Sequence, residues 1–436
     1  MSDPKPADSA SSKPRYSRKK LWLFRAGALV LCLSLLEAIS FLLVHFWPWH
    51  LGVEIELSKK SIAQMGDDTR SQFESLHPYL GWVFNPDSEQ PVAFANERLP
   101  VNSLGFVDSG ESIHKRSPDR IIVGIFGGSV AQQVTTSCEA ALRKQLGSVP
   151  ELAGKDLQIV RMSMSGFKQP QQLMALNYIL ALGGEFDVVV NLDGYNETAL
   201  AADNDNATIF AAYPWMWSAR LEDVVDPRLF SLSYRLLEVR ARRQQAARWI
   251  TESNLRWTNA ANLSWLLRDN WLYHQRLDLE KELLATFQTR GHGFARQGPK
   301  QLYGRSEQMD DHLVEIWSNA SLQMHHLCVG RGIRYLHVLQ PNQYHKDSKP
   351  LSAKELDRFY APDERHAQAV ARLYPQLIAA GTELRGKQLS FHDLTQLFVN
   401  ETDTIYADYF CHYNQRGNDL LGSALAPLIV EQLRSP

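Results

Sequence analysis

From about residue 120 onward the chain alternates short, continuously apolar runs with longer segments of helical hydrophobic spacing. Strands are predicted at about 120 to 127, 157 to 163, 186 to 192 and 333 to 340, with a weaker one near 389 to 393. Helical patterns cover about 131 to 147, 169 to 183, 309 to 330, 363 to 382 and 416 to 433. Apolar strands without polar alternation are buried on both faces, and helices between them supply the covering layers. The prediction is an α/β domain of three-layer α/β/α, flavodoxin-like, doubly wound type with a parallel sheet of about five strands. It would occupy residues 120–200 and 308–436.

Residues 201–307 break the alternation. They hold no convincing buried strand but contain an Arg- and Gln-rich helical stretch around Leu236 to Arg243, followed by Trp249, Trp257, Trp265 and Trp271. A helical insertion after the third strand emerges at the carboxyl end of the sheet, where α/β proteins hold ligands. It would serve as a lid or acceptor-binding surface, or use its tryptophans to pack a small core of its own.

At the other end, the segment from Leu21 to Trp49 is apolar for longer than the roughly 20 residues a bilayer requires. Lys13, Arg15, Arg18, Lys19 and Lys20 precede it. By the positive-inside rule residues 1–20 form a cytoplasmic basic tail, residues 21–49 a transmembrane anchor with Trp47 and Trp49 at its far edge, and the remainder is exported. Glu37 and Arg25 work against this reading, because a mid-membrane charge costs a few kcal/mol. A cleaved signal peptide is the rival, but the apolar run exceeds an ordinary h-region and ends in no small-x-small site. Residues 50–119, rich in aromatic and turn residues, are expected to form a β-rich or irregular preface.

Bulk properties exclude several classes. A chain of 436 residues with a formal charge of -2 has no electrostatic footprint for nucleic acid. Its four cysteines, Cys32, Cys138, Cys328 and Cys411, form no CxxC pair and suit neither a zinc site nor a disulfide framework. Mostly free, buried thiols are expected. No metal or cofactor is implied, and His325-His326 reads as a helix-surface pair.

The candidate chemistry lies at the strand ends. Gly127-Gly128-Ser129 ends the first apolar run with a serine on a tight strand-to-helix turn. Gly166 follows the second strand, where its N–H has no side chain to obstruct it. Asn196, in Asp193-Gly194-Tyr195-Asn196-Glu197, follows the third and can donate to an oxyanion. Asp408 and His412 stand before the last helix. Each motif alone is an ordinary turn or loop residue; their joint occurrence in this order is the signal.

The set Gly127-Gly128-Ser129, Gly166, Gly194-Tyr195-Asn196 and Asp408…His412 resembles the four blocks of the SGNH hydrolases, also called GDSL esterases and lipases. Gly166-Phe167-Lys168-Gln169-Pro170-Gln171-Gln172 is similar to phrases of the bacterial membrane-anchored branch. The resemblance covers about residues 75 to 435 and leaves the insertion largely unmatched. It implies Ser129 as nucleophile, His412 as general base and Asp408 as its orienting carboxylate. It also implies an oxyanion hole from the Ser129 N–H, the Gly166 N–H and the Asn196 amide. The chain departs from the pattern in three places. Gly128 stands where Asp is usual, Glu197 where Asp is frequent, and Asp408-x-x-x-His412 is one residue longer than the usual Asp-x-x-His, which leaves Asp403 as an alternative acid.

A tethered SGNH-type domain outside the inner membrane, in the periplasm, is expected to act on ester groups, O-acetyl above all, of envelope glycan or exopolysaccharide, by hydrolysis or by acyl transfer. An acylated carbohydrate or other ester is then the substrate, the membrane is met through residues 21–49, and envelope polysaccharide machinery is a possible partner. The alternatives are a lipid or small-ester hydrolase and a non-catalytic carbohydrate-binding module of an export complex. The sequon Asn196-Glu197-Thr198 contains the expected oxyanion donor, which favours a bacterial source.

Overall fold

A computed structural model describes residues 17–46, 51–64, 74–87, 92–94, 97–108, 110–137, 139–221, 227–289, 293–299, 303 and 306–434. The chain divides into two compact units, one of Met1–Thr69 with Pro227–Thr289 and one of Arg70–Asp226 with Arg290–Pro436.

In chain order the main elements are helix α1 (Arg18–Phe46) and helix α2 (Leu51–Gln64), then strand β1 (Arg120–Gly127) and helix α3 (Ser129–Ser137). Strand β2 (Asp156–Ser163), helix α4 (Gln171–Ala181), strand β3 (Val188–Asp193) and helix α5 (Tyr195–Asn206) follow. The insertion supplies helix α6 (Pro227–Glu252) and helix α7 (Asn259–Thr289). Helix α8 (Ser306–Val329), strand β4 (Arg334–Leu339), helix α9 (Arg365–Gly386), strand β5 (Ser390–Asp393) and helix α10 (Gln415–Arg434) complete the chain.

The larger unit is built on a five-stranded parallel sheet in the order β2-β1-β3-β4-β5. That is the flavodoxin-like order, with the switch point between β1 and β3. Val188 to Leu192 of β3 and Ile122 to Phe126 of β1 are buried, as the absence of polar alternation requires for strands covered on both faces. The weak fifth strand is present at the edge.

Three expectations change. The single helix predicted over 131–147 is two, Ser129–Ser137 and Glu139–Gly147, on either side of residue 138, which lies outside the described residues together with its cysteine. Thr135 and Thr136 turn their hydroxyls onto the carbonyl of Gln132, at 3.0 and 2.9 Å, the local competition that weakens a helix rich in β-branched residues. The preface is β-rich only from Glu74, where the hairpins Glu74–His77 with Gly81–Phe84 and Val92–Phe94 with Glu97–Leu99 lie. Before that α2 is a helix, and Ile55, Lys59 and Ile62, four and three residues apart, are buried along one face. Finally, the insertion does not stand alone: α6 and α7 share a compact unit with α1 and α2, and residues 201–221 and 306–307 belong to the unit that carries the sheet.

Within the smaller unit, Val44 of α1, Ile55 and Ile62 of α2, Ala247 and Ile250 of α6 and Trp265 of α7 form a common apolar cluster. Lys59 Nζ donates to Asn262 Oδ1 at 2.6 Å. Among the tryptophans of the insertion only Trp265 is buried, whereas Trp249, Trp257 and Trp271 are exposed. Helix α1 is long and apolar enough to cross a membrane. It ends at Phe46, and Trp47 and Trp49 lie outside the described residues.

Candidate active site

Strand β1 is an interior strand of the sheet, and its carboxyl end delivers Ser129 as the first residue of α3. The two glycines before it answer to different needs. Gly127 has φ 151°, and a Cβ there would lie 2.1 Å from the carbonyl oxygen of Leu192 on β3, so only glycine lets the chain turn this tightly beside its neighbour. A Cβ on Gly128 would lie 2.2 Å from Asn196 Nδ2. Glycine at 128 therefore leaves room for the Asn196 amide beside the serine.

Ser129, at 8% exposure, is nearly buried, and its hydroxyl meets His412 Nε2 at 2.8 Å. His412 Nδ1 meets Asp408 Oδ2 at 2.5 Å. A carboxylate can only accept, so it assigns the ring proton to Nδ1 and leaves Nε2 free to accept from the serine. Burial pushes the Asp408 carboxyl up, but the hydrogen bond and charge of His412, with the N–H groups of Phe410 and His412, outweigh it and hold the group below its ordinary value.

The long Asp-x-x-x-His spacing has a local cause. Tyr406 and Tyr413 pair in an antiparallel bridge, Ala407 N–H donates to His412 O at 2.9 Å, and Asn414 N–H to Ile405 O at 2.8 Å. Asp408 and His412 thus stand at the two sides of a closed loop. Asp408 Oδ1 accepts the Phe410 and His412 N–H groups at 2.9 and 3.3 Å, so the carboxylate shapes the loop as well as orienting the ring. Asp403, the alternative acid, is exposed and lies 3.8 Å from Arg416 Nη1.

The loop is gripped by residues that the sequence did not single out. Gln343 Nε2 donates to Asp408 O at 3.1 Å, Tyr344 Oη to Tyr409 O at 2.5 Å and Asn342 Nδ2 to Phe410 O at 3.3 Å. All follow β4, so a fourth strand end contributes to the site. Buried Glu355 accepts the N–H groups of Ile405 and Tyr406 at 2.8 and 2.9 Å, and its other oxygen takes Lys349 Nζ at 2.7 Å.

No protein-family model matches the chain, and no curated protein matches it either. Among solved structures it is similar to a protein from Bacteroides fragilis provisionally described as an acylhydrolase, at 9% identity and a TM-score of 0.34, over 74% of this chain and 92% of that one. It is also similar to a GDSL-like lipase from Bacteroides thetaiotaomicron, at 10% identity and a TM-score of 0.35, over 73% of this chain and 93% of that one. At this distance the likeness decides nothing about chemistry, which rests on the atoms of the site itself.

The three expected oxyanion donors stand at the ends of β1, β2 and β3, neighbouring strands of the sheet. The N–H of Ser129 opens a helix and so has no partner within it. Gly166 sits in the turn after β2, with φ +82°, and its N–H has no backbone acceptor among the described residues. Asn196 is nearly buried and one of its amide hydrogens is taken by Phe167 O at 2.7 Å, which fixes the side chain in place with one hydrogen left to donate. Phe167 neighbours Gly166, so this bond ties the second donor turn to the third. Trp82 of the preface packs edge-on against Phe167, with ring centroids 5.4 Å apart, and supports that turn from behind.

Behind the donors lies a buried polar layer. Glu197 accepts Gln169 N–H at 3.0 Å, Gln172 Nε2–H at 2.9 Å and Gly194 N–H at 2.8 Å. Burial, and then the charge of Asp193, push its carboxyl well up. Burial also pushes Lys168 down, to about 7, and its ammonium donates to Ala211 O. Asp193 accepts from Asn191 Nδ2 at 2.7 Å and from Trp317 Nε1 and His337 Nε2 at 2.9 Å. Glu197 thus has a structural part: it locks the Gly166 to Gln172 block onto the block bearing Asn196.

Proposed function

We propose that the chain is a membrane-anchored, extracytoplasmic serine esterase or O-acyltransferase of SGNH type, acting on O-acetyl or similar esters of envelope glycan or exopolysaccharide. The single observation that carries the reading is the continuous hydrogen-bond chain from Ser129 Oγ through both nitrogens of His412 to Asp408. Nucleophile, base and orienting carboxylate in that order suit acyl transfer.

In this scheme His412 Nε2 takes the Ser129 proton as Oγ attacks the ester carbonyl. Asp408 stabilises the imidazolium and keeps its orientation. The Ser129 N–H, the Gly166 N–H and the Asn196 amide receive the developing oxyanion. His412 then protonates the departing alcohol oxygen, leaving an acyl-serine that water or an acceptor hydroxyl resolves by the reverse sequence.

Exposed Tyr409 and Phe410, centroids 4.4 Å apart, lie in the loop between Asp408 and His412. They offer apolar faces on which a sugar ring can shed water, which supports carbohydrate over a simple lipid ester. Support for membrane attachment is helix α1 with its basic start.

The test is turnover of p-nitrophenyl acetate by the full chain in detergent, beside Ser129→Ala. Turnover and fluorophosphonate labelling should both vanish in the variant. Equal turnover by both proteins, or no labelling of the parent, refutes the reading in favour of a binding module. A rate raised by added glycan acceptor marks transfer rather than hydrolysis.

A further inference from the structure

Glu37 is out of place in an apolar helix, and its surroundings explain it. Its carboxylate accepts Asn259 N–H at 2.5 Å, Asn259 Nδ2–H at 2.8 Å and Ala260 N–H at 2.9 Å. It therefore caps the start of α7, neutralising amide groups that have no partner inside that helix. Glu37 stands about 19 residues above Arg18, roughly 28 Å along the helix axis at 1.5 Å per residue. That is close to the ~30 Å thickness of a hydrocarbon core. Beyond it one side of α1 is covered, since Ser40 and Val44 are buried and Val44 joins the cluster with α2, α6 and α7. From Glu37 on, α1 presents apolar surface on one side only, through Ile39, Phe41, Leu42 and Phe46.

The cap also sets the height of the turn between α6 and α7, which lies next to it. The apolar surface exposed there is large: Trp257 is 76% exposed, Trp249 60% and Leu255 45%. The Arg256 guanidinium lies over the Trp257 ring, 4.7 Å from its centroid. Between this turn and α1 runs an apolar groove of about 1040 Å³, walled by Leu33, Phe41 and Leu42 on one side and Leu255 on the other. In water these surfaces are unfavourable; tryptophan paired with arginine is the composition that membrane interfaces select.

We infer that the turn joining α6 and α7 is a second membrane contact. Trp257, Leu255 and Trp249 enter the headgroup region of the leaflet opposite the basic start of α1. The inference rests on the reading that α1 spans the bilayer.

The test uses full-length protein in phosphatidylglycerol and phosphatidylethanolamine vesicles, with the photocrosslinker p-benzoylphenylalanine replacing in turn Val30 in α1, Trp257 in the turn and Leu284 far along α7. Val30 and Leu284, like Trp257, are exposed, so folding should survive. Lipid adducts are expected at 30 and 257, with at least tenfold less at 284. Adducts at 30 without adducts at 257 overturn the second contact and leave the anchor standing. No adduct at 30 overturns the spanning reading itself. Equal yields at 257 and 284 overturn the confinement to the turn. In a Glu37→Leu background the yield at 257 should fall severalfold with that at 30 unchanged, and an unchanged yield at 257 removes Glu37 from the account.

Discussion

Single atoms decide whether this site works, and the sharpest case is the Asn196 amide. Removing one oxyanion donor typically costs about 10²- to 10³-fold in kcat. Asn196→Ala is expected to lose that much while fluorophosphonate still labels Ser129, because the serine and its base remain. Gly128→Ala attacks the same donor from the other side, since the new methyl would lie 2.2 Å from Asn196 Nδ2. Its kcat should fall about as far; full activity in steady-state assays would show that the amide is not used. Asp408→Asn is predicted to lower kcat about 10⁴-fold by losing the acceptor that holds the His412 tautomer. Asp408 also bears on stability. Its folded carboxyl is held below the unfolded value of 3.8, so it contributes stability that is full well above pH 3.8 and is lost as pH falls through the folded value. Acid unfolding of Asp408→Asn, followed by circular dichroism, should therefore have a flatter dependence on pH below about 4.

Helices and loops are held by polar groups that do no chemistry. Glu355 ties Lys349 to the backbone of Ile405 and Tyr406, just ahead of the loop that carries Asp408 and His412. Glu355→Ala would leave a buried ammonium unpaired, a loss of about 3–5 kcal/mol that thermal unfolding of the full chain can read. Tyr344→Phe is the milder probe, because it removes only a hydroxyl, which donates to Tyr409 O and accepts the Ala361 N–H at 3.2 Å. It should lower kcat severalfold with little change in melting temperature, whereas a large melting shift at unchanged kcat would make Tyr344 a packing residue alone. The Glu197 in place of the frequent aspartate now has a reason too: its longer reach spans Gln169 N–H, Gln172 and Gly194 N–H together.

For the chain as a unit, attachment to the bilayer is the property that ordinary fractionation reads. The full chain should stay with the membrane pellet through alkaline carbonate, and a protein lacking residues 1–37 should leave it more readily yet retain some affinity for vesicles through the α6–α7 turn. Release of the full chain by carbonate would contradict the anchor. The strands and the serine at the end of an apolar run were legible in the sequence, because burial on both faces leaves an unbroken apolar signature and a strand-to-helix turn demands glycine. Asp408 and His412 were singled out by the resemblance to the SGNH blocks, which left Asp403 open as the acid. Helix α2 was missed because its buried face is short and includes Lys59, and the two helices within 131–147 were merged because the pattern carries no break of its own. The clamp by Asn342, Gln343 and Tyr344 left no trace, since a polar loop residue looks the same whether it faces water or a carbonyl 65 residues away in sequence. The same holds for Glu37, whose charge counted against a membrane helix until its donors on α7 were seen. Periodicity and turn chemistry are local properties, and the amino-acid order alone settled what depends on them: a parallel α/β sheet, an apolar first helix and a serine set on a tight turn. Which carboxylate meets His412, which helix Glu37 caps and what holds the loop of Asp408 and His412 depend on contacts between distant segments, and only packing in three dimensions could decide them.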